Sequence, residues 1–133
     1  MEYPKELLRS IYWAFSEGTI ENREEFMNLI RDYHEEISGS VFPIQPDEII
    51  FNYPKMVLQY VKYTDTSDFE EPQELIEAEN GENFTGEELL FKIHQVGLNL
   101  EDEDNCYFEG LTFATNDDPD FIDIPVYFLD TGN

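Results

Sequence analysis

Closely spaced carboxylates are the first residues in this chain that could do chemistry, because oxygen ligands of this kind bind calcium. They occur in the run Glu101–Asp104 and at alternating positions in the segment 116–120. An EF-hand loop also needs a glycine at its sixth position for the sharp turn. Cys106 or Tyr107 stands there in the first segment and Phe121 in the second. We therefore predict no dedicated metal site.

Side chains that act as nucleophiles or general bases are few. His34 and His94 are the only histidines, and neither belongs to an H-E-x-x-H pattern. His34 precedes two glutamates on a predicted helix, where we expect a solvated surface position. The single cysteine, Cys106, has no basic residue near it in sequence to activate the thiol. The chain also lacks a glycine-rich phosphate loop and a G-K-[ST] motif. The sequence thus predicts no catalytic residue, no cofactor and no enzymatic activity.

Negative charge is the dominant chemical feature. The chain has 31 acidic and 7 basic residues, a formal charge of −24. Residues 1–62 hold 11 acidic and 6 basic residues, a charge of −5, whereas residues 63–133 hold 20 acidic residues and one base, Lys92, a charge of −19. Such a field repels nucleic acid and anionic membranes and attracts basic proteins. The alternative is that the charge only maintains solubility.

The acidic stretches of the C-terminal half are therefore the predicted contact surface for a protein partner, with an aromatic side chain as an anchor. The predicted contact residues are Asp65, Asp68, Phe69, Glu70, Glu71, Glu101, Asp102, Glu103, Asp104, Asp117, Asp118 and Asp120. For the first of these stretches, the alternative is a solvated loop and strand edge. We expect no direct contact with nucleic acid or with a membrane, and the oligomeric state stays open.

Two amphipathic segments at the N-terminus predict helices. Segment 4–16 places apolar residues at helical spacing, with Pro4 in the first turn and Gly18 after the end. Segment 22–37 begins at Asn22, a plausible N-cap, and carries one apolar stripe before Gly39. Two helices joined by a short turn predict an antiparallel hairpin.

The rest of the chain alternates between strand and helix patterns. DEIIFNY, KMVLQYVKYT and ELIEAEN are typical of strands, and the second of them is predicted to be an inner strand. Thr85 and Glu88 form a T-x-x-E capping box at the start of a helix. CYFEGLTFAT and IPVYFLD predict an antiparallel pair, in which Gly110 allows a bulge. The order predicts an α+β fold with an N-terminal helical hairpin, an antiparallel sheet of four to five strands, and one further helix before the last two strands.

Length and cysteine content set the remaining expectations. A chain of 133 residues fits a single domain, 1–133. One cysteine excludes an internal disulfide and a multi-cysteine zinc site. The N-terminus lacks a basic region followed by an apolar core, so we expect a soluble cytoplasmic protein.

Three stretches of residues 80–133 carry a family resemblance: NGENFTGEELLFKIHQ, DNCYFEGLTF and IPVYFLDTGN. Together they resemble small acidic bacterial proteins in which an F-T-x-x-E-L-L helix precedes an F-E-G-L strand and a final P-x-Y-x-L strand. These proteins are similar to immunity partners of polymorphic or contact-dependent toxins. The resemblance implies a cytoplasmic domain that binds and blocks one cognate toxin, and it implies no catalytic residue.

The function predicted from composition and resemblance together is a non-enzymatic acidic binding protein of the immunity type. Its expected partner is a basic, nucleic-acid-targeting toxin domain that it neutralises by surface complementarity. The alternatives are a DNA mimic that inhibits a nucleic-acid-binding protein, a small enzyme, and a structural subunit.

Overall fold

The computed structural model of the chain describes residues 3–11, 13, 21–63, 69–97 and 107–132. They form an α+β fold with two helices, a five-stranded sheet and two small two-stranded sheets. The helices are α1 (Arg23–Ser38) and α2 (Gly86–Gly97). The strands are β1 (Glu6–Leu7), β2 (Ile49–Phe51), β3 (Lys55–Gln59), β4 (Lys62–Tyr63), β5 (Phe69–Glu70), β6 (Gln73–Glu77), β7 (Phe84–Thr85), β8 (Tyr107–Thr115) and β9 (Val126–Gly132).

The five-stranded sheet has the strand order β1-β8-β9-β3-β6. Strand β3 is an inner strand, as predicted, and β8 pairs with β9 in antiparallel fashion, also as predicted. The prediction of a purely antiparallel sheet is wrong, because β3 and β9 run parallel. A parallel pair needs a long crossover connection, and the chain between these two strands supplies one that contains α2.

The hydrophobic core lies between the helices and one face of this sheet. Met56 and Leu58 on β3 and Tyr127 on β9 are fully buried there, because alternate residues of a strand point to the same face. Other core side chains are Ile11, Trp13, Phe26, Ile30, Phe51, Phe84, Leu89, Leu90, Ile93, Phe108 and Leu111. Burial of this apolar surface is the main contribution that favours folding.

The predicted helix over residues 4–16 is wrong in its described part. Glu6 and Leu7 form β1 and pair with β8. Leu8 has a φ of 60°, a left-handed conformation that does not continue a right-handed helix. The Phe113 N–H also donates to the Lys5 carbonyl, 2.8 Å away, so this backbone bonds to a strand and not to itself. Residues 12 and 14–16 of the prediction lie outside the described residues.

Helix α1 is consequently the first helix of the described chain, and the predicted N-terminal hairpin is not formed by described residues. Its ends agree with the sequence. The Glu25 N–H donates to Asn22 Oδ1 at 3.0 Å, and Gly39 ends the helix with a φ of 70°.

The expectation that His34 is solvated is wrong. The buried stripe of α1 follows a spacing of four residues through Phe26, Ile30 and His34, whereas Ile37 is 61% exposed. The His34 ring lies edge-on against Phe42, with the ring centroids 5.4 Å apart. Helical spacing was predicted correctly, but the face that is buried is rotated from the predicted stripe.

The capping box at α2 is half confirmed. The Glu88 N–H donates to Thr85 Oγ1 at 3.3 Å, as predicted. The Glu88 carboxylate does not complete the box. It accepts the Glu79 N–H at 2.8 Å and contacts Lys92 Nζ at 2.9 Å. Glu88 therefore joins the start of α2 to the residues that follow β6.

The predicted bulge at Gly110 is confirmed by a register shift between Phe108 and Gly110 in the β8–β9 pair. Gly110 has a φ of 114°, and a Cβ at this position would lie 3.1 Å from the Leu7 carbonyl oxygen. Glycine is needed here for conformation and for the close approach of β1.

Candidate partner-binding surface

One predicted acidic stretch is described in full, residues 117–120, and another in part, residues 69–71, and they meet on the sheet face that points away from the helices. Val57 and Val126 point to this face and are nevertheless fully buried. The loop of residues 116–125 lies on this side: Gln73, which shares the face of Val57 by strand alternation, donates through Nε2 to Asp118 Oδ2 at 2.8 Å. This loop brings Asp117, Asp118 and Asp120 towards the start of β6.

Two glutamines connect the acidic stretches, and we call Gln59 and Gln73 the amide bridge. They are directly opposite each other on β3 and β6. Gln59 Nε2 donates to Glu71 Oε2 at 2.9 Å. Gln73 Nε2 donates to Gln59 Oε1 at 3.0 Å and to Asp118 Oδ2 at 2.8 Å. Neutral amides thus connect two carboxylates on one surface.

The amide bridge favours the ionised form of Asp118. The hydrogen bond from Gln73, followed by the one from the Asp120 backbone N–H at 2.9 Å, lowers the pKa of the Asp118 carboxyl. Hydrogen bonds donated to a carboxylate stabilise its charge. Asp118 therefore carries a full negative charge at neutral pH.

The other predicted contact residues have different outcomes. Glu70, Glu71, Asp117 and Asp120 are exposed, so their carboxylates are accessible to a partner. Phe69 lies in β5, where its backbone pairs with Tyr63. The predicted residues that lie outside the described chain are Asp65, Asp68, Glu101, Asp102, Glu103 and Asp104.

Three residues of this surface were missed by the sequence analysis. Gln59 and Gln73 carry no charge and stand in strand patterns, where nothing singles them out. Ile122 is 75% exposed within the loop of residues 116–125 and adds an apolar contact beside the carboxylates. An isoleucine inside an acidic turn, without a strand or helix period around it, was the available signal.

Chemistry of other kinds has little support in the described residues. No three of their histidine, cysteine, aspartate and glutamate side chains are grouped so that they could hold a metal ion. His34 and His94 are both buried, 3% and 1% exposed. Cys106 lies outside the described chain. None of the described helices is both long enough and apolar enough to cross a bilayer.

Comparison of the chain with protein-family models, curated proteins and solved structures finds no match. The resemblance of residues 80–133 to immunity proteins therefore stays a prediction. The candidate surface is defined by the hydrogen bonds of the amide bridge.

The amide bridge makes a prediction about pH. Replacing Gln73 by leucine removes the donor that contributes most to the lowered pKa of Asp118, so this pKa should rise towards the ordinary value of about 3.9. Because the folded-state pKa lies below the unfolded value, the ionised carboxylate stabilises the fold above about pH 4. That contribution is lost as the pH falls through the folded-state pKa, and Gln73→Leu should reduce it.

A carbon-detected NMR titration of the Asp118 carboxyl measures this shift. Gln95→Leu is the matched control, because Gln95 is an exposed glutamine on α2 and makes no contact with Asp118 in the described structure. An unchanged Asp118 titration in Gln73→Leu would show that the amide bridge does not set the charge of this surface.

Proposed function

We propose that this protein is a non-enzymatic binding protein of the immunity type, which neutralises a basic toxin domain by covering its cationic surface. The observation that carries the proposal is the amide bridge, which joins the ionised Asp118 to Glu71 on one exposed face. Many arrangements of surface carboxylates would keep the chain soluble, but solubility does not require neutral donors that connect two of them.

The charge of the chain supports a basic protein as the partner. The segment 63–133 carries a charge of −19, and its field accelerates the approach of a cationic protein and repels phosphate groups. At the surface described above, Glu70, Asp117 and Asp120 are exposed around the bridged pair. Lysine and arginine side chains of a partner find several carboxylates there within one patch, with Ile122 as an apolar contact.

A toxin is the kind of basic partner that the sequence favours. Toxins that act on nucleic acids need a cationic surface to hold their substrate, and an acidic protein that occupies this surface blocks the substrate directly. The resemblance of residues 80–133 to immunity proteins supports the same partner class.

Affinity capture followed by a growth assay tests the proposal. The tagged full chain is used to capture proteins from the source cells, and each captured protein is expressed alone and together with this chain. We expect one captured basic protein to arrest growth alone and to lose this effect when co-expressed. The proposal is wrong if no captured protein is toxic, or if the purified chain turns over a small substrate. A captured nucleic-acid-binding protein without toxicity would favour the DNA-mimic alternative.

A further inference from the structure

Strand β6 forms one edge of the five-stranded sheet, and the hydrogen bonds beside it show which of its backbone groups point outward. The Tyr60 N–H donates to the Pro72 carbonyl at 3.2 Å, and the Ala78 N–H donates to the Pro54 carbonyl at 2.8 Å. Opposite residues in an antiparallel pair alternate between bonded and non-bonded pairs. In this register, the residues of β6 that bond to β3 are Glu74 and Ile76.

The remaining residues of β6 present their backbone to the outside. The N–H and C=O groups of Gln73, Leu75 and Glu77 point away from β3. Of the described residues, only Lys92 bonds to this outer row, through its Nζ and the Glu77 carbonyl oxygen. Among the described residues nothing pairs with the N–H and C=O groups of Leu75, which leaves them available to another strand.

A groove of about 410 Å³ runs along this edge, between β6 and the second half of α2. Ile76 and Val96 are buried and form its apolar floor. Leu75 is 39% exposed at its rim, beside the exposed Glu77. An edge strand beside a helix with an apolar floor is a geometry that binds an extended peptide by adding a strand.

The charges beside this edge decide which strand fits. Glu74 and Glu77 lie on β6, and Glu71 precedes it, while the cationic Lys92 is already paired with Glu88 at 2.9 Å. A second copy of β6 would place like charges opposite each other, which destabilises a strand pair. A basic strand would place opposite charges there.

We propose that β6 binds an extended segment of a basic protein partner as a sixth strand of the sheet. Lysine or arginine alternates with apolar residues in this segment, so that the cationic side chains share the sheet face of Leu75 and Glu77 and the apolar ones share the face of Ile76, the groove floor. The inference rests on the proposed function, because it assumes the same basic partner. It adds the binding mode: backbone hydrogen bonds to Leu75 and its neighbours.

A pair of short peptides tests the strand pairing. One peptide alternates lysine and valine. The other has the same sequence, but the backbone nitrogens on the side of the peptide that would face β6, which are every second nitrogen, carry N-methyl groups. Both carry the same charge. We expect the unmethylated peptide to bind about tenfold or more tightly, since N-methylation removes the donors of its backbone hydrogen bonds to β6. Fluorescence anisotropy at low salt measures both affinities.

Two variants of one residue separate backbone from side chain. Leu75→Pro removes the outward N–H without removing a bond to β3, whereas Leu75→Ala shortens the side chain and keeps the N–H. We expect Leu75→Pro to lower the affinity for the unmethylated peptide about tenfold or more, and Leu75→Ala to change it by a few fold at most. If Leu75→Pro does not fold, amide exchange in the unchanged protein replaces it, and the Leu75 amide should gain protection when the peptide binds.

The outcomes distinguish this inference from the proposed function. Equal, salt-sensitive binding of both peptides would overturn strand pairing and leave the acidic surface as the binding site. Absence of binding by either peptide, or a Leu75 amide that gains no protection, would also overturn strand pairing. The capture and growth assay judges the proposed function independently of these peptides.

Discussion

Replacing Lys92 by methionine should destabilise the fold by about 3 kcal/mol, because it leaves a buried carboxylate without its cation. Glu88 is 5% exposed, and its carboxylate forms an ion pair with Lys92 Nζ at 2.9 Å. Methionine keeps most of the aliphatic stem, so the loss comes from charge more than from packing. Among the described residues, the other hydrogen bond to the Glu88 carboxylate comes from the Glu79 N–H at 2.8 Å, and it stabilises the charge only in part. Urea unfolding measures the free-energy difference.

The matched variants are Glu88→Gln and the double variant Lys92→Met with Glu88→Gln. A glutamine retains an oxygen that can accept the Glu79 N–H and carries no charge, so the double variant should recover most of the lost stability. If Lys92→Met costs the same free energy in the Glu88→Gln background, the two residues are not coupled and the explanation is wrong.

Replacing Gly86 by alanine should destabilise the fold by about 2 kcal/mol, although alanine favours helices over glycine by about 1 kcal/mol. A Cβ at Gly86 would overlap the Ile44 side chain and lie 2.7 Å from the Gln45 carbonyl oxygen. The backbone is close here because the Gly86 N–H donates to the Glu48 carbonyl at 2.7 Å. To make room for the Cβ, the segment of residues 44–48 would have to move away from Gly86, and this movement would break the hydrogen bond at the start of α2.

Gly81→Ala is the control for this prediction, because a Cβ at Gly81 meets no atom within 4 Å but the residue has a φ of 73°. It should cost about 1 kcal/mol from backbone strain alone. Thermal unfolding compares the two variants. A Gly86→Ala variant as stable as the unchanged protein would mean that the loop before β2 gives way at little cost.

The ends of the helices could be predicted where they depend on residues close by in the sequence. Asn22 and Gly39 bound α1 through contacts within a few residues, and Thr85 begins α2 in the same way. The N-terminal segment has helical spacing too, but Glu6 and Leu7 bond to β8, more than 100 residues further along the chain. Long-range pairing of this kind overrides local periodicity, and the sequence pattern does not encode it.

The acidic character of the candidate surface was predictable from composition, but its assembly was not. Glu71 and Asp118 are brought together by the register of β3 with β6 and by the path of the loop of residues 116–125. A period-2 pattern predicts that a strand exists and which face is apolar, and it does not say which strand lies beside it. The same limit applies to the outward backbone of Leu75, which depends on β6 being an edge strand.

The association rate constant of the captured partner most directly tests the central claim that the acidic surface binds a basic protein. It is measured with the unchanged protein, with Glu71→Gln plus Asp118→Asn, and with Asp32→Asn plus Glu36→Gln, a charge-matched pair exposed on α1. At about 0.05 M salt, we expect the first double variant to associate about tenfold more slowly and the second to resemble the unchanged protein. At about 0.5 M salt, the difference should disappear because the charges are screened. Equal rates for both double variants at low salt would contradict the claim.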